Sequence, residues 1–515
     1  MNKIVSKEDF KNNIRPELKK ADPGSKPKTI ALCHGVFDLV HPGHIIHLQQ
    51  AKEMADVLVV SVTAAKYVRK GPNRPYFDDG MRMKELAAIE YVDYVMLSEG
   101  YTVDDIIEAV EPDIYVKGQE YAREDADITG KIREERELVE RHGGHIAYTG
   151  GQVFSSTKLI NTGMSGLPDD VIQYMEEFTR KYSLDDVIEY SDRAKKLKIL
   201  VIGDLIIDRY TYCNIQGLMS KDTAYSARLK SSEDYLGGAA AIARHLSTFV
   251  DDITYTTIIG DEPDMRELVE TQLSDSMKLE LFTSRIFPTI VKHRYLSRNQ
   301  KREEYEKIFV ITNIPEKNSF SDEEKVEFKN RLRDDITKYD AVFVCDFGHG
   351  LIDNETINII EEKAKYLVLN CQTNSSNYGL NIITKYHRAD AFTIDQKELK
   401  LAYPEYAFDE DGGLGKLQRR LGGIGWLTRG SAGSWQIDGS GLSECPAFTL
   451  SVKDTIGAGD AYYALAGLFA AAGAPADIGS LMGNIGGALG ANIVGNKEAV
   501  EKVNAIKYAS TLMNI

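Results

Sequence analysis

No stretch of this chain stays apolar for long enough to span a bilayer, which excludes a membrane helix. The first residues, MNKIVSKEDFKNNIRPELKK, lack an apolar core and are charged throughout, which excludes a secretory signal. Cysteine is scarce. Cys33, Cys213, Cys345, Cys371 and Cys445 form no CxxC pair and no zinc spacing, so a disulfide framework is excluded and reduced thiols in the cytoplasm are expected. Positive charge is also short: 62 Lys and Arg stand against 78 Asp and Glu, a formal net charge of −16. Such a chain does not bind nucleic acid by neutralising a phosphate backbone. Any phosphate site must be local, built from backbone N–H groups and a few cations. Internal repeats and low-complexity tracts are absent as well.

What is present is a soluble composition, 43% hydrophobic and 27% charged, over 515 residues, too many for one ordinary core. Residues 1–28 end in the turn-rich DPGSKPK and read as an N-terminal extension. From residue 29, apolar β-branched runs (TIALCHGVFDLV, VLVVSV, YVMLS, DIYVKG, HIAYTG) alternate with helical patterns. That alternation predicts a parallel sheet with helices on both faces, closing near residue 163. Residues 164–196 are charged and helical in pattern, a linker. A second α/β alternation opens at KILVIGDLIID and runs over 197–515 through DAVFVCDF, YLVLNC, AFTIDQ and GIGWLTRG to the small-residue segment AGDAYYALAGLFAAAGA.

Two loops carry chemistry. The first is His34-Gly35-Val36-Phe37-Asp38-Leu39-Val40-His41-Pro42-Gly43-His44, between a strand and a helix. Gly35 and Gly43 allow close backbone approach, and the helix N-terminus attracts anions. His41 and His44 flank a Pro-Gly turn, so both imidazoles can address one phosphate. Nucleotidyl transfer needs fixed donors where an α-phosphate gathers charge, and a phosphate nucleophile needs no strong base. A zinc site from His34, His41 and His44 is the weaker reading, because no fourth ligand stands out.

This segment resembles the cytidylyltransferase-like family, whose signature is HxGH. The resemblance continues through the basic loop Arg69-Lys70-Gly71-Pro72-Asn73-Arg74-Pro75, the helical Arg82, the segment Val116-Lys117-Gly118-Gln119-Glu120-Tyr121, and Phe154-Ser155-Ser156-Thr157-Lys158-Leu159-Ile160. It implies catalytic roles for His41 and His44. It also implies nucleotide or phosphate contacts from Gly35, Phe37, Lys70, Arg74, Arg82, Lys117, Gly118, Ser156 and Thr157.

The second loop is Asp454-Thr455-Ile456-Gly457-Ala458-Gly459-Asp460 before an Ala-rich helix. Small residues leave N–H groups open to an anion. Asp460 is placed to take a proton from an attacking hydroxyl, useful here because an alcohol is a neutral nucleophile. This half resembles the ribokinase-like (phosphofructokinase-B) sugar kinases, whose signature is DTxGAGD. The resemblance implies a three-layer α/β/α domain with a small lid sheet, its strands drawn from 209–235 and 286–311, while TYTTI near 254–258 belongs to the main sheet. It implies substrate contacts from Asp208, Gly237 and Gly238. It implies nucleotide contacts from Thr428, Gly430, Gly433, Gly457, Ala458, Gly459 and Asn484, and Mg2+ organised by Glu398.

Three departures stand out. Ala241 replaces a substrate-binding Asn, Asp395-Gln396-Lys397-Glu398 replaces N-x-x-E, and Asn370-Cys371-Gln372 replaces D-P-x. The polar run Thr373-Asn374-Ser375-Ser376-Asn377 is either solvated or in contact with phosphate.

A kinase makes a phosphate ester and a nucleotidylyltransferase consumes one. The pairing is similar to the bifunctional ADP-heptose synthase-type proteins, with the domain order reversed. It implies ATP-dependent phosphorylation of a heptose-like sugar or sugar phosphate, and nucleotidylyl transfer from ATP or CTP to a sugar phosphate. Mg2+ would accompany the nucleotide at both sites. The expected partners are these small molecules and a second copy of the chain, with no nucleic acid or membrane. A transferase with a degenerate kinase-like sensing or dimerisation half, and a nucleotide-binding regulator, are the competing readings.

Overall fold

The computed structural model describes residues 3–20, 26–68, 74–100, 102–118, 131–149, 167–298, 305–314, 321–374, 377–449 and 452–514. Among them no helix is long and apolar enough to cross a membrane. The chain divides into two compact units, one of Met1–Glu176 with Ile506–Ile515, the other of Glu177–Ala505.

The first unit holds five parallel strands: β1 (Ile30–Gly35), β2 (Val57–Thr63), β3 (Tyr94–Ser98), β4 (Ile114–Gly118) and β5 (His145–Thr149). Their order is β3-β2-β1-β4-β5, so the winding reverses between β1 and β4. β1 and β2 are buried nearly end to end. Helices cover both faces of such a sheet, which explains their unbroken apolar runs. Ligands of open α/β sheets bind at the carboxyl ends of the strands beside such a reversal.

Within 1–28, read from sequence as an extension, the described residues 3–20 contribute to this core. Val5 N–H donates to Val95 O and Val95 N–H to Lys3 O, a parallel bridge along the outer strand β3. Phe10 is completely buried among Ile106, Ile107 and Val110, its ring edge-on to Tyr94 at 5.4 Å. Lys7, Arg15 and Lys19 pair with Asp105, Glu111 and Asp113. Removing a buried Phe costs a transfer term and a cavity term. Phe10→Ala is therefore expected to destabilise this unit by about 3–5 kcal/mol, read as a lowered denaturant midpoint.

The second unit is an α/β layer structure. Its main sheet contains β6 (Lys198–Gly203), β9 (Asp252–Gly260), β10 (Lys278–Ser284), β13 (Ala341–Asp346), β14 (Leu367–Cys371), β15 (Ala391–Asp395), β16 (Ile424–Thr428), β17 (Ser434–Asp438) and β18 (Gly441–Cys445). The order is β10-β9-β6-β13-β14-β15-β16-β17-β18, parallel up to β16 and antiparallel beyond. The reversal lies between β6 and β13. There Gly203 lets the strands close up, since a Cβ on it would sit 2.2 Å from Cys345 O.

A separate four-stranded sheet, β12-β11-β7-β8, is built from β7 (Leu205–Leu218), β8 (Tyr225–Gly238), β11 (Ile290–Arg298) and β12 (Tyr305–Thr312). These strands lie where the lid was expected. TYTTI lies in β9 of the main sheet, also as expected.

Candidate functional site

In the first unit the site forms where β1 leads into the helix Pro42–Glu53. His41 is the N-cap and its Nδ1 accepts the Gly43 N–H at 3.1 Å, while His44 Nδ1 accepts the His41 N–H at 3.4 Å. A ring nitrogen that accepts carries no proton, so both protons are assigned to Nε2. The two rings stack with centroids 3.9 Å apart. His41 is buried, and desolvation lowers its pKa, which favours the neutral imidazole. The result is a stacked pair of rings at a helix N-terminus, each with its Nδ1 turned to the backbone and its Nε2 left to donate. Phe37 has φ of +47° and sets its ring edge-on to His44 at 5.3 Å. Gly35 makes room for that ring, since a Cβ on it would lie 3.1 Å from Phe37.

The other expected contacts separate into groups. Arg74 Nη1 pairs with buried Asp38 at 2.9 Å, and Asp38 also accepts the N–H groups of Tyr76 and Phe77. Asp38, given no role by the sequence reading, thus anchors the end of the basic loop. Arg82, read as a nucleotide contact, has no exposed surface. Its guanidinium donates to Phe77 O, Val36 O, Thr63 O and Asp79. It braces the loop after β1 against the end of β2, and these bonds engage four of its five N–H donors.

Lys117 closes on Glu135 at 2.7 Å beside the Tyr115 ring, and Gly118 ends β4 at the reversal point. His34 bonds Ser61 and Thr63, and the described residues hold no group of three or more His, Cys, Asp or Glu fit for a metal. Lys70, Ser156 and Thr157 lie outside the described residues.

In the second unit a cavity of about 320 Å3 opens at the carboxyl ends of the main-sheet strands and beneath the four-stranded sheet. Asp208, Gly238, Glu398, Thr428, Gly457, Gly459 and Asp460 line it. Gly457 has φ of +81°, and a Cβ there would meet Asn496 Oδ1 at 1.8 Å. Only glycine fits this turn into the helix Ala458–Ala471, whose first turn carries Asp460. Burial raises the Asp460 carboxyl to about 6, with Asp208 adding to the rise and Gln372 and Lys292 opposing it. That value suits a base near neutral pH.

Asp208 on β7 is bonded by Arg294. Gly237 leaves the carboxylate room: a Cβ on it would sit 2.6 Å from Asp208 Oδ2. Burial holds the Lys292 ammonium below the usual lysine range, with Asp208 and Asp460 opposing. Lys292 and Arg294 also line the cavity, and sequence reasoning missed both. Their signal was the alternation in VKHRYLSR: residues two apart on a strand share a face.

Glu398 accepts the Thr373 and Asp395 N–H groups, and burial followed by the Asp395 charge raises its carboxyl to about 7. Asp395 caps the helix Gln396–Ala402, bonding Glu398 N–H at 2.7 Å. Asp serves as an N-cap as Asn would, which accounts for that departure. Gly430 and Gly433 shape the turn from β16 to β17, while Ala458 opens the helix. Neither of those glycines, nor Asn484, lines the cavity. The Asn484 amide donates to Ser434 Oγ and Ser480 O. Ala241 is fully buried in the helix Ala239–Ser247. In the polar run, Asn374 and Asn377 donate to Phe347 O, so they secure the loop after β13; Ser375 and Ser376 are not among the described residues.

Comparison with known proteins adds the following. The Cytidylyltransferase-like family model matches residues 32–162. The chain is similar to the "Bifunctional protein HldE" of Syntrophotalea carbinolica, 37% identical over 121 residues, 23% of each chain. It is also similar to that of Koribacter versatilis, 39% identical over 137 residues, 26% of this chain and 27% of the relative. The match thus spans about a quarter of the length of these curated relatives. Among solved structures, phosphofructokinase-2 from Escherichia coli aligns with 61% of this chain and 99% of its own, at TM-score 0.48 and 10% identity. Ribokinase from Thermotoga maritima aligns with 60% of this chain and 99% of its own, at TM-score 0.45 and 15% identity.

Proposed function

We propose that the chain is a bifunctional enzyme of nucleotide-activated sugar synthesis. In this reading residues 197–515 phosphorylate a heptose-like sugar phosphate with ATP. Residues 29–163 transfer a nucleotidyl group from ATP or CTP to a sugar phosphate, releasing pyrophosphate. The observation that carries the kinase assignment is the cavity joining Asp460, at a helix N-terminus with its carboxyl raised to about 6, to an acid and two cations. Asp460 takes the acceptor's proton, Asp208 holds its hydroxyl groups, and the N-terminus of the Asp460 helix receives the γ-phosphoryl group. The transferase assignment is supported by the paired imidazoles and the family match over residues 32–162.

Mg2+ would be held with ATP by Glu398. The fit is chemical: a buried carboxyl raised to about 7 is one that a hard cation would favour in its ionised form. The metal supplies charge neutralisation on the phosphates.

Lys292 and Arg294 point to an anionic acceptor, since two cations at a cavity wall suit a phosphate ester better than a neutral sugar. Lys292→Ala and Arg294→Ala are each expected to raise KM for a phosphorylated acceptor about 10- to 100-fold, with little change for a neutral sugar. Steady-state kinetics on paired sugars and sugar phosphates check this, and equal effects on both would refute it.

Two copies would pair through the four-stranded sheet, where Leu218, Tyr225, Leu229 and Phe309 are exposed. The reactions are placed in the cytoplasm. The test of the whole reading is a screen of the purified chain for ADP formation and for pyrophosphate release, with four nucleoside triphosphates against sugars and their phosphates. ADP formation missing throughout, with pyrophosphate release intact, would leave a transferase alone.

A further inference from the structure

We propose that Gln372 is a positioning residue for the phosphoryl-transfer base, fixing one oxygen of Asp460 so that the other meets the acceptor hydroxyl. The inference rests on the reading of the second unit as a kinase. Gln372 follows directly on β14, and its backbone is held from two sides. Its N–H donates to Asp346 O at 2.8 Å, and its carbonyl accepts the Asn381 side-chain amide at 2.9 Å. Asn381 is itself bonded to Asp346 O and receives Lys385 Nζ at 2.6 Å. From this fixed base the Gln372 side chain reaches the cavity wall, where Nε2 donates to Asp460 Oδ1 at 2.8 Å.

A carboxylate turns about Cβ–Cγ in a broad two-fold well. A donor on one oxygen selects one orientation and leaves the second oxygen to the substrate. The choice of an amide matters. Asp208 on β7, Lys292 on β11 and Glu398 on the helix Gln396–Ala402 already act on Asp460 through their charges. A further cation on Oδ1 would hold the ionised form too firmly for a good base, whereas a neutral donor orients it at smaller cost to basicity. In the transfer, the acceptor oxygen bonds to the γ-phosphorus and the bond from that phosphorus to the β,γ-bridging oxygen breaks. ADP departs with the electron pair, and the acceptor proton passes to Asp460 Oδ2.

The test compares wild type, Gln372→Leu and Gln372→Lys by the pH dependence of kcat and kcat/KM for acceptor phosphorylation, with melting temperatures as a folding control. Gln372→Leu is expected to lower kcat about 10- to 100-fold, with KM for ATP little changed, and to move the acid limb up by about one pH unit. Gln372→Lys is expected to move that limb down. A folded variant pair whose acid limbs coincide with wild type overturns the proposal. If the Leu variant does not fold, the Lys variant, which keeps a polar group of similar reach, decides alone.

Carboxyl-carbon NMR titration, with Asp460 assigned by comparison with Asp460→Asn, requires no turnover. If wild type phosphorylates no acceptor, the kinase reading fails. In that case an upward shift of the Asp460 titration in Gln372→Leu still supports the orienting contact, and an unshifted one overturns it.

Discussion

Asp460→Asn should lower acceptor phosphorylation by about 10²–10⁴-fold while leaving pyrophosphate release by the first unit unchanged. The substitution is nearly isosteric, and the amide oxygen of Asn can still accept from Gln372, which in wild type donates to Asp460 Oδ1 at 2.8 Å. What disappears is the basic oxygen, together with the carboxylate's charge. Stability should not fall. A carboxyl whose folded pKa is raised to about 6 opposes folding once the pH exceeds its unfolded value near 3.8. At pH 7 the Asn variant is therefore expected to melt at or above the wild-type temperature. Coupled detection of ADP, set beside a pyrophosphate assay on the same preparation, checks both halves of the expectation. If both activities fall together, the two-site reading is wrong.

The reciprocal result is expected from His44→Ala: loss of pyrophosphate release by about 10²–10³-fold with ADP formation intact. His44 does two things that a second variant separates. Its Nδ1 accepts the His41 N–H at the helix start, and in the proposed reading its distal nitrogen offers a proton to a phosphate. His44→Asn keeps an acceptor near the His41 N–H but has no donor at the Nε2 position. A comparable fall in the Asn variant, with the melting temperature held, would locate the effect in the distal donor. Full activity in the Asn variant would show that only the helix cap matters. Nucleotide titration by calorimetry separates weakened binding from a slower chemical step.

Both layer structures were legible from the chain because most of the parallel strands announced themselves as short apolar runs and each phosphate loop as a turn rich in small residues, whereas β10, β17 and β18 carried no such run. The order of strands was not, since β1 and β4 become neighbours through contacts between segments far apart in sequence. Local motifs led to the imidazole pair and to Asp460. They did not foretell the bonds that Arg82 and Asn484 make within the fold, because residue type says nothing about which way a buried side chain turns its donors. Lys292, Arg294 and Gln372 went unassigned for a related reason. Each lies on a strand or just after one, and becomes part of the site only when β11 and β14 are brought to the same cavity. Phe10 shows the same limit: its charged neighbourhood reads as an N-terminal extension, yet the ring is wholly enclosed.

The pairing of Lys3 and Val5 with Val95 has a practical consequence. Versions of the protein trimmed to start at β1, where the motif-bearing region begins, would leave the N–H and carbonyl of Val95 on β3 without these partners. Such a flank recruits strands from other molecules. Insoluble material from a trimmed first unit would therefore report the loss of this bridge, and shortened versions of the protein should keep Lys3 and Val5.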